Sequence, residues 1–179
     1  VIGLGIQGRQ LLATLGQLPN APVLAICDQY EPALRRCKAL APQAAPVADY
    51  RRVLARPEVK AVLVATPTQA HREIVIEALK AGKHVYCEAP LAHTVDDARA
   101  IAQAAQAALK QNFQAGLPHR ADGQHDYVLT YFRSGAVGKV VKIHSQWARK
   151  NEWRRAAPDA ERERALNWRL DQQVSLGLA

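Results

Sequence analysis

No apolar run in the sequence approaches the ~20 residues that a membrane-spanning helix needs, and no signal peptide is visible. A cytoplasmic protein with no membrane partner is therefore expected. Cysteine is scarce and poorly placed for crosslinks or metals. Cys27, Cys37 and Cys87 are odd in number and form no C-x-x-C pair, which argues against a disulfide framework and against zinc. Cys27 and Cys87 lie in apolar runs and read as small core hydrophobes. No metal site is expected. Clustered charge is missing too. The net charge is +8, from 24 Lys+Arg and 16 Asp+Glu. Residues 1–119 hold 13 and 9 of these, and residues 120–179 hold 11 and 7, so each part carries +4. With no basic arm or face, a nucleic-acid partner is not expected. The stretch "RKNEWRRAAPDAERERA" mixes both signs and reads as a solvated loop and helix. There is no internal repeat, and no low-complexity tract beyond one Ala-rich helix.

What is present is the composition of a globular domain, 49% hydrophobic and 22% charged over 179 residues, long enough to bury a core. Val1–Leu4 read as the end of a buried strand. Gln7–Leu18 carry leucines at helical spacing. Val23–Cys27 form a second apolar strand ending at Asp28. Pro32–Leu40 read as a helix, "PVADY" as a short strand and Arg51–Ala55 as a short helix. Lys60–Ala65 is a continuous apolar run, as in a parallel strand covered on both faces. Gln69–Lys80 is a helix stopped by Gly82, and His84–Cys87 a further strand. Thr94, with Asp97 three residues on, reads as the N-cap of a helix reaching about Lys110. Phe113–Ala115 is the next strand. This alternation predicts an α/β fold, a Rossmann-type doubly wound parallel sheet over residues 1–117.

Near residue 117 the pattern changes. A helix over about 124–134 precedes a Gly-rich turn. Lys139–Trp147 then alternates, with Val141, Ile143, Ser145 and Trp147 on one face. One-sided alternation fits an open antiparallel sheet. Residues 118–179 are thus expected to begin an α+β domain. The chain starts at Val1, almost on its glycines, and stops at Ala179, early in this second unit. The expectation is a piece of a longer polypeptide.

Gly3, Gly5 and Gly8 stand in G-x-G-x-x-G spacing between a strand and a helix. The first glycine permits a tight turn. The second lets backbone approach a pyrophosphate, and the third lets helix and strand pack closely. The helix N-terminus offers free N–H groups to phosphates. Ile6 and Gln7, inside the motif, join the candidate cofactor contacts. Asp28 lies 20 residues after Gly8, where an acidic side chain accepts hydrogen bonds from the adenosine ribose. Its carboxylate would repel a 2′-phosphate, which favours NAD over NADP.

The stretch "VLVATPTQAHREIVIEALKAGKHVYCEAPLAHTVDDARAI" resembles the signature region of the Gfo/Idh/MocA oxidoreductases. That pattern is a strand ending in T-P, a later His, A-L-x-A-G-K-H-V, then E-K-P. "FRSGAVGKV" is similar to the start of the same family's second domain. The resemblance implies an NAD(P)-dependent oxidoreductase that moves a hydride to or from a sugar, inositol or similar polyol, working as a homo-oligomer. It implies that Ala65, Thr66 and Pro67 line the cofactor crevice and that His71 approaches it. Glu88 and Pro90 would hold the loop near the nicotinamide ribose. Gln114 and Arg120 would lie by the substrate at the domain junction, and Trp168 and Arg169 near the active-site mouth. Read without the motif, His71 is a surface helix histidine with its polar needs met, and Trp168 is core packing.

Two departures bear on chemistry. Ala89 stands where the family pattern has lysine, so a titratable group is missing beside the nicotinamide. The second is at the end of the sequence. The resemblance implies an acid/base pair on a helix that would come beyond Ala179. No catalytic pair is assigned. Glu88 and Arg120 are the candidates at hand, and a guanidinium does not release its proton. These 179 residues by themselves are expected to be inactive. Two other readings stay open: a glycosidase that oxidises its sugar transiently with bound NAD, and a dinucleotide-binding protein without catalysis.

Overall fold

The computed structural model describes residues 1–117, 121–146, 148, 154–171 and 174–175. The apolar runs of the first part become five short strands: Ala25–Cys27 (β1), Ala45–Val47 (β2), Ala61–Val64 (β3), His84–Cys87 (β4) and Phe113–Ala115 (β5). β1 pairs with β2, and β4 lies between β3 and β5, all in parallel register. The two groups meet at the N-terminal residues. Ile2 bridges Cys27 on one side and Val64 on the other. Its N–H donates to the Leu63 carbonyl and its carbonyl accepts from Ala65, both at 2.8 Å. The expected strand Val1–Leu4 is thus present as a short central bridge. The spatial order is β2, β1, N-terminal segment, β3, β4, β5. Numbered along the chain with that segment first, it reads 3-2-1-4-5-6, the order of a doubly wound dinucleotide-binding sheet.

Helices cover both faces. Ile6–Leu15 (α1) and Glu31–Lys38 (α2) bring Leu12, Leu34 and Cys37 against Leu4 and Ile26. Tyr50–Leu54 (α3), His71–Lys80 (α4) and Val95–Ala107 (α5) serve the opposite face. There Val53, Ile74, Val75, Leu79 and Ile101 pack on Val62, Val64, Val85 and Cys87. Continuous apolar strands are the sequence mark of such double burial. Thr94 caps α5 as expected, its hydroxyl accepting from the Asp97 N–H at 3.1 Å. A 3₁₀ turn, Thr68–Ala70, takes up the first residues of the helix expected from Gln69, so α4 begins at His71. Lys83, 7% exposed, donates from Nζ to the Arg56 carbonyl at 2.8 Å, tying the start of β4 to the segment after α3.

Beyond the sheet, Gly123–Arg133 (α6) forms close to its expected place, capped by Asp122. Tyr127, Val128, Tyr131 and Phe132 on it are all exposed. The strand expected over 139–147 is not formed: residues 139–146 carry no ladder, and Trp147 lies outside the described residues. Val141 and Ile143 are 89% and 83% exposed. Alternation marks a strand with one face to bury. The strand itself needs a neighbour to take its N–H and C=O groups, and the described residues offer none. Every ladder here is parallel, and the expected antiparallel sheet is absent among them. Ala160–Leu166 (α7) follows, capped by Asp159. Asn167 closes this segment on itself, accepting from the Arg155 N–H at 2.7 Å and donating to its carbonyl at 2.9 Å. Arg162 of α7 lies 3.6 Å from the ring centroid of Tyr30. The α+β unit expected over 118–179 is therefore represented by two helices and no sheet among the described residues, and its end at Ala179 lies outside them. No helix among the described residues is long and apolar enough to cross a membrane.

Ile101 is the fully buried residue of α5, with Ala104 and Ala105 packed beside it on the core. Ile101→Ala is expected to cost about 2–5 kcal/mol, read as a lowered urea midpoint with an unchanged slope.

Candidate functional site

The chain order of the strands reverses between the N-terminal segment and β3, which opens a crevice beyond their carboxyl ends. Gly3 lies at its base with φ +89°. A Cβ there would sit 2.6 Å from the Ala65 carbonyl and 2.7 Å from the Thr66 nitrogen. A Cβ on Gly8 would collide with the Gly3 carbonyl oxygen. The fold itself demands these two glycines. Gly5 differs. Its φ is −65°, and a Cβ would meet nothing within 4 Å. No protein atom requires glycine there, so the space beside it suits a ligand that approaches the backbone. Gly5 is also the N-cap of α1 and makes no side-chain cap, which leaves the helix N–H groups of Ile6, Gln7 and Gly8 for an anion.

Asp28 follows β1 and is tied to the glycine loop. Its Oδ2 accepts from the Leu4 N–H and its Oδ1 from the Tyr30 N–H, each at 2.8 Å. A carboxylate has about four lone-pair sites, so both oxygens retain capacity for ribose hydroxyls. The expected spacing thus lands the side chain beside Gly3–Gly5. Across the crevice, the Thr66 hydroxyl oxygen is buried without a hydrogen-bond partner. It is a buried polar atom that the described residues leave unpaired, as few such atoms are.

Glu88 ends β4. Its Oε1 accepts from Gln7 Nε2 at 3.1 Å and from the Tyr86 hydroxyl at 3.0 Å. Gln7 and Glu88 therefore join the glycine loop to the loop that carries Ala89 and Pro90. Burial, then the bond to Glu88, pushes the Tyr86 hydroxyl up to about 12, so it stays a donor near neutral pH. Tyr86 was not singled out from the sequence. The signal was there, since residues i and i+2 of a strand share a face.

His71 is turned to the main chain. It is 1% exposed, and both ring nitrogens face main-chain carbonyls: Nε2 lies 2.9 Å from Thr66, and Nδ1 3.1 and 3.2 Å from Pro90 and Leu91. Burial pushes its pKa below the ordinary histidine value, against the pull of these carbonyls and of Glu88. Gln114 is exposed on β5, in register with Tyr86. Arg120 lies outside the described residues. So does Ala179, beyond which the acid/base pair is expected. Trp168 and Arg169 stack on each other at 4.4 Å. No hydrogen bond or ring contact joins them to Glu88 or Gln114 among the described residues. Burial raises the thiols of Cys27 and Cys87 to about 11 and about 12, so both behave as core atoms rather than nucleophiles. Among the described residues no group of three His, Cys, Asp or Glu side chains could hold a metal.

Strand order, glycine cradle and placed carboxylate define a dinucleotide-binding Rossmann domain. The chain belongs to the GFO_IDH_MocA oxidoreductase family, NAD-binding Rossmann fold, whose model matches residues 1–116. It is 30% identical over 168 residues to an inositol 2-dehydrogenase of Gluconacetobacter diazotrophicus, covering 93% of this chain and 49% of that enzyme. It is 39% identical over 145 residues to an inositol 2-dehydrogenase/D-chiro-inositol 3-dehydrogenase of Shouchella clausii, covering 80% and 42%. Among solved structures, the myo-inositol 2-dehydrogenase of Lactobacillus plantarum matches with a TM-score of 0.72 at 25% identity, over 78% of this chain and 42% of that one. KijD10, a 3-ketoreductase of Actinomadura kijaniata in complex with TDP-benzene and NADP, matches with a TM-score of 0.68 at 27% identity, over 75% and 42%. The chain spans less than half the length of these relatives.

Gly8→Ala is expected to force α1 off the glycine loop. The expected loss is about 1–3 kcal/mol of stability by overpacking, measured in urea, together with loss of dinucleotide binding by calorimetry.

Proposed function

We propose that the protein is an NAD-dependent oxidoreductase that moves a hydride between the cofactor and a ring carbon of an inositol or similar polyol. The observation that carries this reading is the open space at Gly5, where a Cβ would meet no atom within 4 Å, beside a carboxylate already held in place. The inositol dehydrogenases among its relatives point to the substrate class. Gly5, Ile6, Gln7 and Gly8 would bind the pyrophosphate through the α1 N-terminus. Asp28 would hold the adenosine ribose, and Ala65, Thr66 and Pro67 would line the crevice. Glu88, one oxygen engaged by Gln7 and Tyr86, would offer the other to the nicotinamide ribose, with Pro90 shaping its loop. When bound, the nicotinamide supplies the hydride acceptor. Residues 118–179 would begin the substrate-bearing unit, with Gln114 and Arg120 at the junction and Trp168 and Arg169 at its mouth. A cytoplasmic homo-oligomer is the matching assembly.

The proton is the other half of the reaction. An alcohol carbon gives up hydride only as its O–H proton is taken. Ala89 cannot take it, and His71 is turned to main-chain carbonyls. Glu88 could take it only with its side chain turned toward the substrate, and a segment beyond Ala179 is the source that the family resemblance favours. Ala89 also favours a second reading, a glycosidase that oxidises its sugar only transiently.

The test is NADH formation by the complete gene product with a panel of inositols and sugars. NADH from a polyol is the expected result. Glycoside cleavage without net NADH would move the second reading ahead, and binding without either reaction would mark a non-catalytic protein. Asp28→Ser is expected to narrow the preference for NAD over NADP by about 1.5–3 kcal/mol, the scale of one charged hydrogen bond, read by titration with both cofactors. Ala89→Lys is expected to leave NADH formation level or raise it, up to the ~10²-fold that a positioned acid or base contributes. Loss of activity would show a site rebuilt around the small side chain.

A further inference from the structure

His71 opens α4 at the point where two loops of the crevice come together. The loop after β3 presents the Thr66 carbonyl to Nε2, and the loop after β4 presents the Pro90 and Leu91 carbonyls to Nδ1. We propose that His71 is a positioning residue, a proton-dependent clasp that fixes these two loops to each other and so sets the crevice for the dinucleotide. The proposal rests on the dinucleotide reading above and adds a residue that acts through the main chain of its neighbours.

The reasoning is a count of protons. A carbonyl oxygen only accepts, and a neutral imidazole has one N–H. The neutral ring can donate to Thr66, or it can share its proton between Pro90 and Leu91. It cannot do both, and the second nitrogen then turns its lone pair toward a carbonyl. The imidazolium donates on both sides and satisfies the geometry in full. At 1% exposed, the ring is shut off from bulk solvent.

The surroundings decide where the second proton arrives. Burial disfavours the cation, while the three carbonyls and the Glu88 carboxylate favour it. Glu88, on the β4 side, is the charge that acts on the ring. On α4 itself Arg72 is taken up by Asp97 of α5 at 3.2 Å, and Glu73 by Arg51 of α3. His93, in the loop before α5, lies 3.5 Å from Asp97. The Cys87 thiol stays neutral, pushed up to about 12. The ring pKa falls below the ordinary value, so near neutral pH His71 holds one loop at a time and at lower pH it holds both.

The sign follows from linkage. If the doubly held crevice binds the dinucleotide better, affinity rises as pH falls through the His71 pKa, and the bound dinucleotide raises that pKa. Protonation of Asp28 or Glu88 would act in the opposite direction, since both are proposed as hydrogen-bond acceptors for the ligand.

Two measurements test this. Ring ¹⁵N NMR of the protein across pH, without cofactor, should show one slowly exchanging His71 N–H at high pH and two at low pH, with a midpoint below the ordinary histidine value. A ring that titrates with an ordinary midpoint and fast-exchanging protons overturns the clasp. Calorimetric titration with NAD at about pH 7.5 and at about one pH unit below the midpoint found by NMR should show binding about 3- to 10-fold tighter at the lower pH, the worth of one net hydrogen bond. His71→Gln should lose that gain, because its amide does not titrate. The same pH dependence in His71→Gln also overturns the proposal. If NAD fails to bind at either pH, the dinucleotide reading fails, and the NMR titration, which needs neither cofactor nor variant, decides the clasp alone.

Discussion

The structure depends on a few backbone hydrogen bonds at the centre of the sheet. Ile2 takes Leu63 and Ala65 on one side, and Gly3 donates to Cys27 on the other, all at 2.8 Å. Without them β1–β2 and β3–β5 would be two separate sheets. The crevice exists because chain order reverses across this seam. The glycine loop is aimed into the crevice because it continues from the same backbone. Gly3 permits the seam to close, its φ of +89° bringing the chain to within contact of Ala65 and Thr66. Strand, turn and helix are thus one mechanical unit, and the ligand-facing N–H groups of α1 inherit their direction from it.

The crevice is set before any ligand arrives. Asp28 is held by two backbone N–H groups, and Glu88 by Gln7 and Tyr86. Carboxylates fixed in this way lose little freedom on binding, which is how preorganised sites gain affinity. The arrangement is also chemically restrained. The thiols are buried and neutral, Tyr86 is a donor, and residue 89 is alanine. The described carboxylates of the crevice are gripped and oriented by these hydrogen bonds.

Much of this was legible in the sequence. His84–Cys87 and Phe113–Ala115 form strands at the expected bounds, because short apolar runs bounded by turn residues have few alternatives. The glycine spacing and Asp28 were legible because each is a local constraint with a fixed distance along the chain. The region 139–147 misled for a physical reason. Alternation in Val141 and Ile143 records which face is to be buried, while a strand exists only if another strand pairs with it. His71 was misread for a related reason. Its three carbonyl partners come from two loops, Thr66 and Pro90–Leu91, and nothing in local sequence says that those loops converge on one ring. Tyr86 could have been found from its i, i+2 relation to Glu88.

The stacking of Arg162 on Tyr30 has a consequence for the order of events at the ribosome. Tyr30 belongs to the second strand–helix unit and emerges early. Its cover, α7, emerges only after the whole parallel sheet has been made. Domains fold as units during synthesis, N-terminal parts first. The sheet therefore closes with one face of the Tyr30 ring packed on its own core and no cation yet stacked on it. The later arrival of α7 adds the Arg162 guanidinium to a ring that the first unit has already seated.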